Sequence, residues 1–239
     1  MSSFNVPQEK AKIHTMEGRR ILSLLNALAV KPAGGNTAGK DAELPQIEKE
    51  SDGRPFFTDR RADFNISHSK NMAAAAWASC GRVGCDIQYA DLSRARVSAG
   101  RRFFHKDELA AIEKTGDEGL LNFYRIWVLK EAWLKMHGFS VFNIAKAPQF
   151  IIEDSLPAGG NAKKSEYFYL YELSCLQDPA GHGLIKHESS GIYMLAVASD
   201  YFSAAEPEFF WFSETELKLK RVENIYAADI PENTDTPNM

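Results

Sequence analysis

The sequence has little cysteine, no excess of positive charge and no long apolar run. Its three cysteines show no CxxC or metal-ligand spacing, and they cannot all pair within the chain. The formal net charge of -4 at pH 7 disfavours a general nucleic-acid-binding protein. The longest early apolar stretch, ILSLLNALAV, is too short to span a bilayer, and no signal peptide is evident. These absences favour a cytoplasmic protein with reduced thiols and with neither a nucleic-acid nor a membrane partner.

The chain is long enough for one large domain or for two small fused lobes. It has 239 residues, of which 44% are hydrophobic and 25% are charged, as is usual for a soluble globular protein. Apolar spacing predicts helices at 16–30, 107–115 and 120–138, and strands at 53–57, 64–69, 72–80 and 83–88, with two or three more between 150 and 199. We expect strand 72–80 to pair with strand 83–88 across the Cys80–Gly81–Arg82 connection.

One stretch imitates a phosphate-binding loop. Gly34, Gly39 and Lys40 fit the GxxxxGK part of that motif, but Asp41 stands where Ser or Thr should hold Mg²⁺. The motif is credible only between a strand and a helix, and no apolar strand leads into it. A P-loop nucleotide hydrolase is therefore disfavoured.

A single acid stands inside the apolar run VGCDIQ (83–88), which has the composition of a buried strand. An unpaired buried charge is costly, so Asp86 needs a base, a metal ion or a cage of hydrogen bonds. On a strand, Asp86 and Gln88 point to one side, while Cys85 and Ile87 point to the other. The rest of the sequence has to supply a partner for Asp86.

The helix at 120–138 carries a polar stripe. Trp127, Glu131 and Lys135 are spaced four residues apart, and each such step turns only about 40° around the helix axis. A Glu–Lys pair at this spacing is usually solvated and is worth about 0.2–0.5 kcal/mol. Two tryptophans, Trp127 and Trp133, indicate instead that much of this helix is packed, which favours a specific role for the stripe.

Asp86 and Glu131 together form a candidate magnesium site. Mg²⁺ is typically held by one or two carboxylates, with waters and substrate phosphates completing its octahedron. Lys130 and Lys135 are close to Glu131 on the helix, where they would meet such phosphates. The sequence therefore predicts a site for a metal ion together with a phosphorylated ligand.

Two residues at a strand-to-turn boundary add to this site. Ser67 and His68 could donate hydrogen bonds to a terminal phosphate. Taken alone, His68 is better explained as a structural turn histidine, so its assignment depends on the rest of the cluster.

These segments occur in the order and spacing of a known family. The motifs FNISHS (64–69), VGCDI (83–87) and WVLKEAWLK (127–135) resemble the signatures of the 4′-phosphopantetheinyl transferases. The chain is similar to their larger, monomeric, two-lobed class, the surfactin-synthetase-activating type. That class also has segments comparable to GRPFF (53–57), RRFFHKDEL (101–109) and YMLAVAS (193–199) at these places in the chain. The similarity covers roughly residues 14–200.

The resemblance implies an enzyme of the holo-[acyl-carrier-protein] synthase type. Such an enzyme transfers the 4′-phosphopantetheine group of coenzyme A to a serine of an apo acyl or peptidyl carrier protein. The reaction depends on Mg²⁺ and releases adenosine 3′,5′-bisphosphate. The resemblance also implies a monomer that serves fatty acid, polyketide or nonribosomal peptide biosynthesis, and it leaves the choice among these pathways open.

Carried over residue by residue, the resemblance assigns the roles in the site. The implied catalytic residues are Asp86, Glu131 and Lys135. The implied metal ligands are Asp86, Glu131 and Gln88. The implied coenzyme contacts are Arg54, Ser67, His68, Lys130, Lys135 and, as a weaker match, Thr15. Glu131 or a metal-bound water is the candidate to take the proton of the carrier's serine.

The implied fold is α+β, a pseudo-dimer of two similar α/β lobes with the coenzyme between them. Each lobe packs a small antiparallel sheet on a long helix. Residues 1–82 would form the N-terminal lobe, shortened at its start, and residues 83–227 the C-terminal lobe that carries the metal site. The tail at 228–239 has little to bury and is expected to be disordered.

Two departures from the family pattern leave an alternative open. Many members of this class carry Glu two residues after the Asp, where this chain has Gln88, which brings no charge to a metal ion. The strand and lysines that usually open the first lobe are not evident in the short stretch before the first helix. The alternative is a catalytically weak or silent coenzyme A-binding protein of the same fold.

A basic stretch, SRARVSAGRRFFHK (93–106), follows the Asp86 strand in a chain that is acidic overall. Such a run of charge is usually a solvated face. Carrier proteins are typically acidic around the helix that follows their serine, so the resemblance favours a docking role for this stretch. The implied docking residues are Arg94, Arg96, Arg101 and Arg102.

Overall fold

The structure is a computed structural model of the 239-residue chain. It describes residues 18–26, 44–70, 72–91, 103–114, 116–152, 166–175, 192–201, 217–222 and 225–228. None of the helices within these ranges combines the length and the apolar character that crossing a membrane requires.

The described residues contain three α-helices, one 3₁₀ helix and ten strands. The helices are α1 (18–26), α2 (Lys106–Ile112) and α3 (Asp117–His137), and the 3₁₀ helix spans Val141–Lys146. The strands are β1 (Ile47–Lys49), β2 (Pro55–Phe57), β3 (Asp63–Ser69), β4 (Met72–Ala78), β5 (Val83–Tyr89), β6 (Gln149–Ile152), β7 (Tyr167–Cys175), β8 (Ile192–Ser199), β9 (Leu217–Val222) and β10 (Ile225–Ala228).

The strands form four antiparallel sheets. The largest has the strand order β5-β8-β7-β9, and the pairs β1–β2, β3–β4 and β6–β10 are two-stranded. In the largest sheet Asp86 of β5 lies opposite Ala196 of β8. The α+β class with small antiparallel sheets is therefore confirmed.

The long helix α3 forms the centre of the main hydrophobic core. It packs on β5 and β8 of the largest sheet and on α2, and it also contacts the 3₁₀ helix and β6. Ile126, Leu129 and Ala132 are fully buried in this core. Gly138 ends the helix in the left-handed conformation at φ 73°, which glycine adopts without steric cost. A helix enclosed in this way can hold polar side chains in fixed positions.

A smaller core lies under the β1–β2 and β3–β4 pairs. Leu22 of α1 is fully buried there with Phe57 and Phe64. The two phenylalanine rings pack with their centroids 4.4 Å apart. This core fixes β3 in place, which matters because β3 contributes polar side chains to the largest sheet.

The free edge of β5 is bonded by side chains of β3. Backbone N–H groups of four alternate β5 residues donate to side-chain oxygens of four alternate β3 residues, and we call this set the side-chain ladder. Its four pairs are Val83–Asp63 at 2.7 Å, Cys85–Asn65 at 3.1 Å, Ile87–Ser67 at 3.2 Å and Tyr89–Ser69 at 2.9 Å. The ladder satisfies buried donors that would otherwise be costly, and it sets the register of β3 against β5.

A buried ion pair joins α2, α3 and β6. Lys130 Nζ of α3 lies 3.0 Å from Glu108 Oε1 of α2, and both side chains are fully buried. The other bonds of Glu108 come from the backbone N–H groups of Phe150 and His105, each at 2.8 Å. Lys130 also donates to the carbonyl of Pro148 at 3.3 Å. Because each charge has several partners, the pair can be retained in the core.

The predicted pairing of strand 72–80 with strand 83–88 is wrong. β4 pairs with β3, and β5 pairs with β8. The short connection that contains Gly81 suggests a hairpin, but the free edge of β5 is already bonded by the side-chain ladder, so β4 cannot add there. The helices predicted at 107–115 and 120–138 and the strands predicted around Phe57, Ser67 and Asp86 are confirmed.

Three further expectations have partial outcomes. The first predicted helix is confirmed over 18–26, and its remaining residues lie outside the described ranges. Ala228, which was assigned to the disordered tail, is the last residue of β10 and pairs with Gln149. Residues 229–239 lie outside the described part of the chain. The strands β1, β9 and β10 were not predicted.

We predict that Glu108→Ala lowers the free energy of unfolding by about 3–5 kcal/mol, because it leaves the ammonium group of Lys130 buried without its partner. Urea unfolding followed by circular dichroism measures this. The control is Glu118→Ala on α3. Glu118 lies 2.5 Å from Arg125 but its side chain is 54% exposed, so its removal should cost less than about 1 kcal/mol. Equal losses in the two variants would contradict the prediction.

Candidate active site

The candidate site lies where α3 crosses β5, and a glycine permits the close crossing. A Cβ atom added to Gly84 would lie 2.0 Å from the carbonyl oxygen of Ala132 and 2.6 Å from the backbone nitrogen of Met136. Any side chain at position 84 would therefore push the helix away from the strand. Because side chains alternate along a strand, Asp86 faces α3 just as Gly84 does.

Asp86 is paired with a lysine and a serine. Its carboxyl is only 2% exposed. Lys135 Nζ donates to Asp86 Oδ1 at 2.6 Å, and Ser67 Oγ donates to the same oxygen at 2.6 Å. Lys135 Nζ also lies 2.8 Å from Ser67 Oγ. Although burial acts to lower it, the pKa of Lys135 is raised because the charge of Asp86 stabilises the ammonium form. The partner that the buried acid requires is thus a base.

Glu131 stands beside this pair as a second acid. Burial, and then the negative charge of Asp86, raise the pKa of Glu131 to about 8, while the charge of Lys135 acts in the opposite direction. One lysine between two carboxyl groups does not neutralise both, so the second acid is held protonated near neutral pH. The predicted stripe on α3 therefore does bring Glu131 and Lys135 together over Asp86.

The two acids fit a magnesium ion. Asp86 Oδ2 is buried and accepts no hydrogen bond from an N–H or alcohol group of the described residues. The carboxyl group of Glu131 also hydrogen-bonds to Asp86, which helps raise the pKa of Glu131. No cluster of three or more His, Cys, Asp or Glu side chains suited to a metal lies in the described part of the chain. Mg²⁺ needs only one or two carboxylates when substrate phosphates complete its shell. Asp86 and Glu131 would be those two ligands, with a phosphorylated ligand supplying the others.

Gln88 and His68 lie at the border of this cluster. Gln88 is half-buried on β5, and the alternation along the strand places it on the same side as Asp86. His68 is exposed on β3, next to the buried Ser67. Of the two residues that the sequence suggested for a terminal phosphate, only His68 faces solvent.

The structure does not support the expected coenzyme contact of Arg54. Its guanidinium group is 5% exposed and is bound by both terminal nitrogens to the carboxylate of Asp63. The remaining bonds go to the carbonyl oxygens of Lys135 at 3.1 Å and Val83 at 2.9 Å. Arg54 ties β2, β3, β5 and the end of α3 together, which makes it a structural residue.

The expected phosphate contact of Lys130 is also not supported. Lys130 directly precedes Glu131, but one residue turns the helix by about 100°, so the two side chains point in different directions. Lys130 points to the buried Glu108 instead. Burial lowers the pKa of Lys130, and Glu108 opposes that effect.

The remaining predicted contacts cannot be placed. Thr15 and the arginines Arg94, Arg96, Arg101 and Arg102 lie outside the described residues. Two structural partners, Asp63 and Glu108, were not predicted. The alternation of polar residues in DFNISHS was a usable signal for Asp63, because it places Asp63 on the same strand face as Ser67.

The geometry can now be compared with known proteins. The model of the 4′-phosphopantetheinyl transferase superfamily matches residues 82–179, a range that contains Asp86, Glu131 and Lys135. The match covers less than half of the chain, so it shows a likeness to this superfamily over that range.

Several curated relatives carry the name 4′-phosphopantetheinyl transferase. A protein of Haemophilus influenzae, provisionally so named, is 34% identical over 150 residues, which cover 59% of this chain and 61% of that protein. HetI of Nostoc sp. is 33% identical over 109 residues, 44% of this chain and 46% of HetI. AcpT of Salmonella typhimurium is 28% identical over 138 residues, 57% of this chain and 69% of AcpT. The chain spans less than two thirds of the first two relatives.

We predict that the raised pKa of Glu131 makes the metal-free protein less stable as the pH rises from about 5 to about 8. Across this range the folded protein keeps a proton on Glu131 that the unfolded chain has lost, so raising the pH favours unfolding by about 1–3 kcal/mol in total. Urea unfolding at a series of pH values measures the slope.

The variant Glu131→Gln carries no titrating carboxyl and serves as the control. Its stability should change less over the same pH range than that of the unmodified protein. Parallel pH profiles for the two proteins would show that Glu131 titrates in its ordinary range.

Proposed function

We propose that the protein is an active, Mg²⁺-dependent 4′-phosphopantetheinyl transferase. It moves the phosphopantetheine group of coenzyme A to a serine of an apo acyl or peptidyl carrier protein and releases adenosine 3′,5′-bisphosphate. The observation that carries this proposal is the cluster of Asp86, Glu131 and Lys135, which combines two acids and one cation within the region that matches the family.

The residues of the cluster suit the transfer. A Mg²⁺ ion held by Asp86 and Glu131 would neutralise charge on the diphosphate of coenzyme A. The ammonium group of Lys135, which is 29% exposed, can contact the same diphosphate. Charge builds on the leaving and non-bridging oxygens during displacement at phosphorus, so a fixed cation there lowers the barrier.

The attacking group belongs to the carrier protein. The serine oxygen forms a bond to the phosphorus that bears the pantetheine arm, and the bond from that phosphorus to the bridging oxygen of the diphosphate breaks. The serine proton needs an acceptor. Glu131, with a pKa of about 8, holds and releases a proton near neutral pH and is our candidate in its ionised form.

The exposed ring of His68 is proposed to contact the 3′-phosphate of coenzyme A. It lies on β3 one residue from Ser67, which itself contacts the cluster.

We also propose that residues 1–82 and 83–227 form the two lobes of the family's pseudo-dimer in a cytosolic monomer. A crystal structure with bound coenzyme A would test the His68 contact and the two lobes, and light scattering would test the monomer.

A silent coenzyme A-binding protein is the second candidate. Gln88 favours it, because an amide brings no charge to the metal and so lowers the affinity for Mg²⁺. This candidate and the transferase share every coenzyme contact and differ only in whether the group is transferred to a carrier.

The transferase predicts a mass gain of one phosphopantetheine on an apo-carrier that is incubated with coenzyme A and Mg²⁺. Asp86→Ala and Glu131→Gln should lower the rate at least about 10²-fold, because each removes a group at the developing charge. Glu118→Gln changes an exposed acid of the same helix and should transfer normally. Mass spectrometry of the carrier follows the reaction. Coenzyme binding without a mass gain on any of several carriers would support the silent protein instead.

We further propose that the basic stretch at 93–106 docks the carrier. Reversing Arg94 and Arg96 to Glu should raise KM for the carrier severalfold and leave KM for coenzyme A nearly unchanged, because steering by charge acts on association of the two proteins. The effect should be largest at low ionic strength, where screening is weak. Steady-state kinetics over a salt series measures it. A carrier KM equal to that of the unmodified protein at every salt concentration would mean that the arginines are only solvated.

A further inference from the structure

Ser67 has no free hydrogen-bonding capacity. A serine hydroxyl donates one hydrogen bond and accepts two. Ser67 Oγ donates to Asp86 Oδ1 at 2.6 Å, and it accepts from Lys135 Nζ at 2.8 Å and from the backbone N–H of Ile87 at 3.2 Å. The side chain is 4% exposed. A phosphate could bind this hydroxyl as an acceptor only by taking the proton that Ser67 now gives to Asp86.

The bonds of Ser67 also decide which oxygen of Asp86 is left for a cation. Both Ser67 and Lys135 bind Oδ1. The other oxygen, Oδ2, is buried and accepts no hydrogen bond from an N–H or alcohol group of the described residues. Because the side-chain ladder holds Ser67 against the backbone of Ile87, the serine is fixed relative to β5 and cannot follow a movement of the carboxyl group. The rotation of the Asp86 carboxylate is thereby restricted.

We propose that Ser67 is a positioning residue for Asp86 and Lys135 and does not bind a phosphate of coenzyme A. It holds the carboxylate so that Oδ2 is directed to the metal position, and it holds the ammonium group of Lys135 next to the diphosphate. This role rests on the proposed transferase function. His68, on the solvent side of the same strand, is then the residue of this pair that meets the 3′-phosphate.

The ladder provides a matched control. Ser69 Oγ accepts the backbone N–H of Tyr89 at 2.9 Å, as Ser67 accepts that of Ile87, but no contact joins Ser69 to Asp86 or Lys135 among the bonds described above. Ser67→Ala and Ser69→Ala each remove one bond of the ladder. Only Ser67→Ala also removes the contacts with the site.

The first experiment measures how firmly Lys135 is held, without coenzyme, metal or carrier. The purified proteins are treated with a small acetylating reagent, and peptide mass spectrometry gives the rate of acetylation at Lys135. Ser67→Ala should react at least about threefold faster than the unmodified protein, since a hydrogen bond to a charged group is lost. Ser69→Ala should react at the unmodified rate. Equal rates in all three proteins would overturn the proposal.

The second experiment compares coenzyme A with 3′-dephospho-coenzyme A in the transfer assay. Ser67→Ala should lower kcat at least about tenfold and affect the two coenzymes by the same factor, because the carboxylate and the lysine act on the diphosphate that both share. His68→Ala should raise KM for coenzyme A more than KM for the dephospho form. A loss in Ser67→Ala that is confined to coenzyme A would assign Ser67 to the 3′-phosphate and would overturn the positioning role.

The two experiments separate this proposal from the transferase itself. If the unmodified protein modifies no carrier, the transferase fails, and the acetylation rates still test how Ser67 holds Lys135. If the unmodified protein transfers the group to a carrier but Lys135 in Ser67→Ala is acetylated at the unmodified rate, only the positioning role fails. Should Ser67→Ala not fold, Ser67→Cys has a similar size but forms only weak hydrogen bonds, and the same faster acetylation is expected of it.

Discussion

The buried charge of Asp86 must be compensated, and the other described side chains of the site are arranged around it. A carboxylate that is 2% exposed has lost nearly all its water and must be compensated by protein groups. Lys135 supplies a charge and Ser67 a hydroxyl. Both reach Asp86 because α3 crosses β5 closely at Gly84. The nearby Glu131 adds a second acid for which the described residues supply no second cation, and a divalent ion would correct this imbalance of charge.

The same strand, β3, links this chemistry to the stability of the fold. Its alternate polar side chains bond the edge of β5, while its alternate apolar side chains, including Phe64, pack into the smaller core. Ser67 occupies one position in this pattern and so reaches Asp86 with its backbone already fixed. Arg54 reinforces the arrangement, because it binds Asp63 at the start of β3 and the carbonyl oxygen of Lys135 at the end of α3. The contacts between β3 and β5 therefore both position the residues of the site and join the β3–β4 pair to the largest sheet.

The sequence predicted correctly which side chains share a helix stripe or a strand face, because periodicity alone decides this. Four-residue spacing placed Glu131 and Lys135 on one stripe, and two-residue alternation placed Asp86 on the face opposite to Cys85. Lys130 was assigned from its proximity to Glu131 in the sequence and from the family resemblance. It is one residue off the stripe, and the structure pairs it with Glu108. The pairing of β4 with β5 was inferred from a short connection. It failed because long-range contacts between β3 side chains and the β5 backbone, which local patterns do not reveal, had already occupied that edge.

The side-chain ladder has a consequence for how the protein behaves in a crowded solution. A strand at the border of a sheet normally offers a row of unpaired N–H groups, which strands of other molecules can join. In β5 these groups are taken by oxygens of Asp63, Asn65, Ser67 and Ser69. Side chains, unlike a backbone, carry no further row of donors and acceptors outward, so the bonding stops there. This edge of β5 therefore offers no row of free N–H groups to a strand of another molecule. The face of β5 that is directed toward α3 carries Asp86.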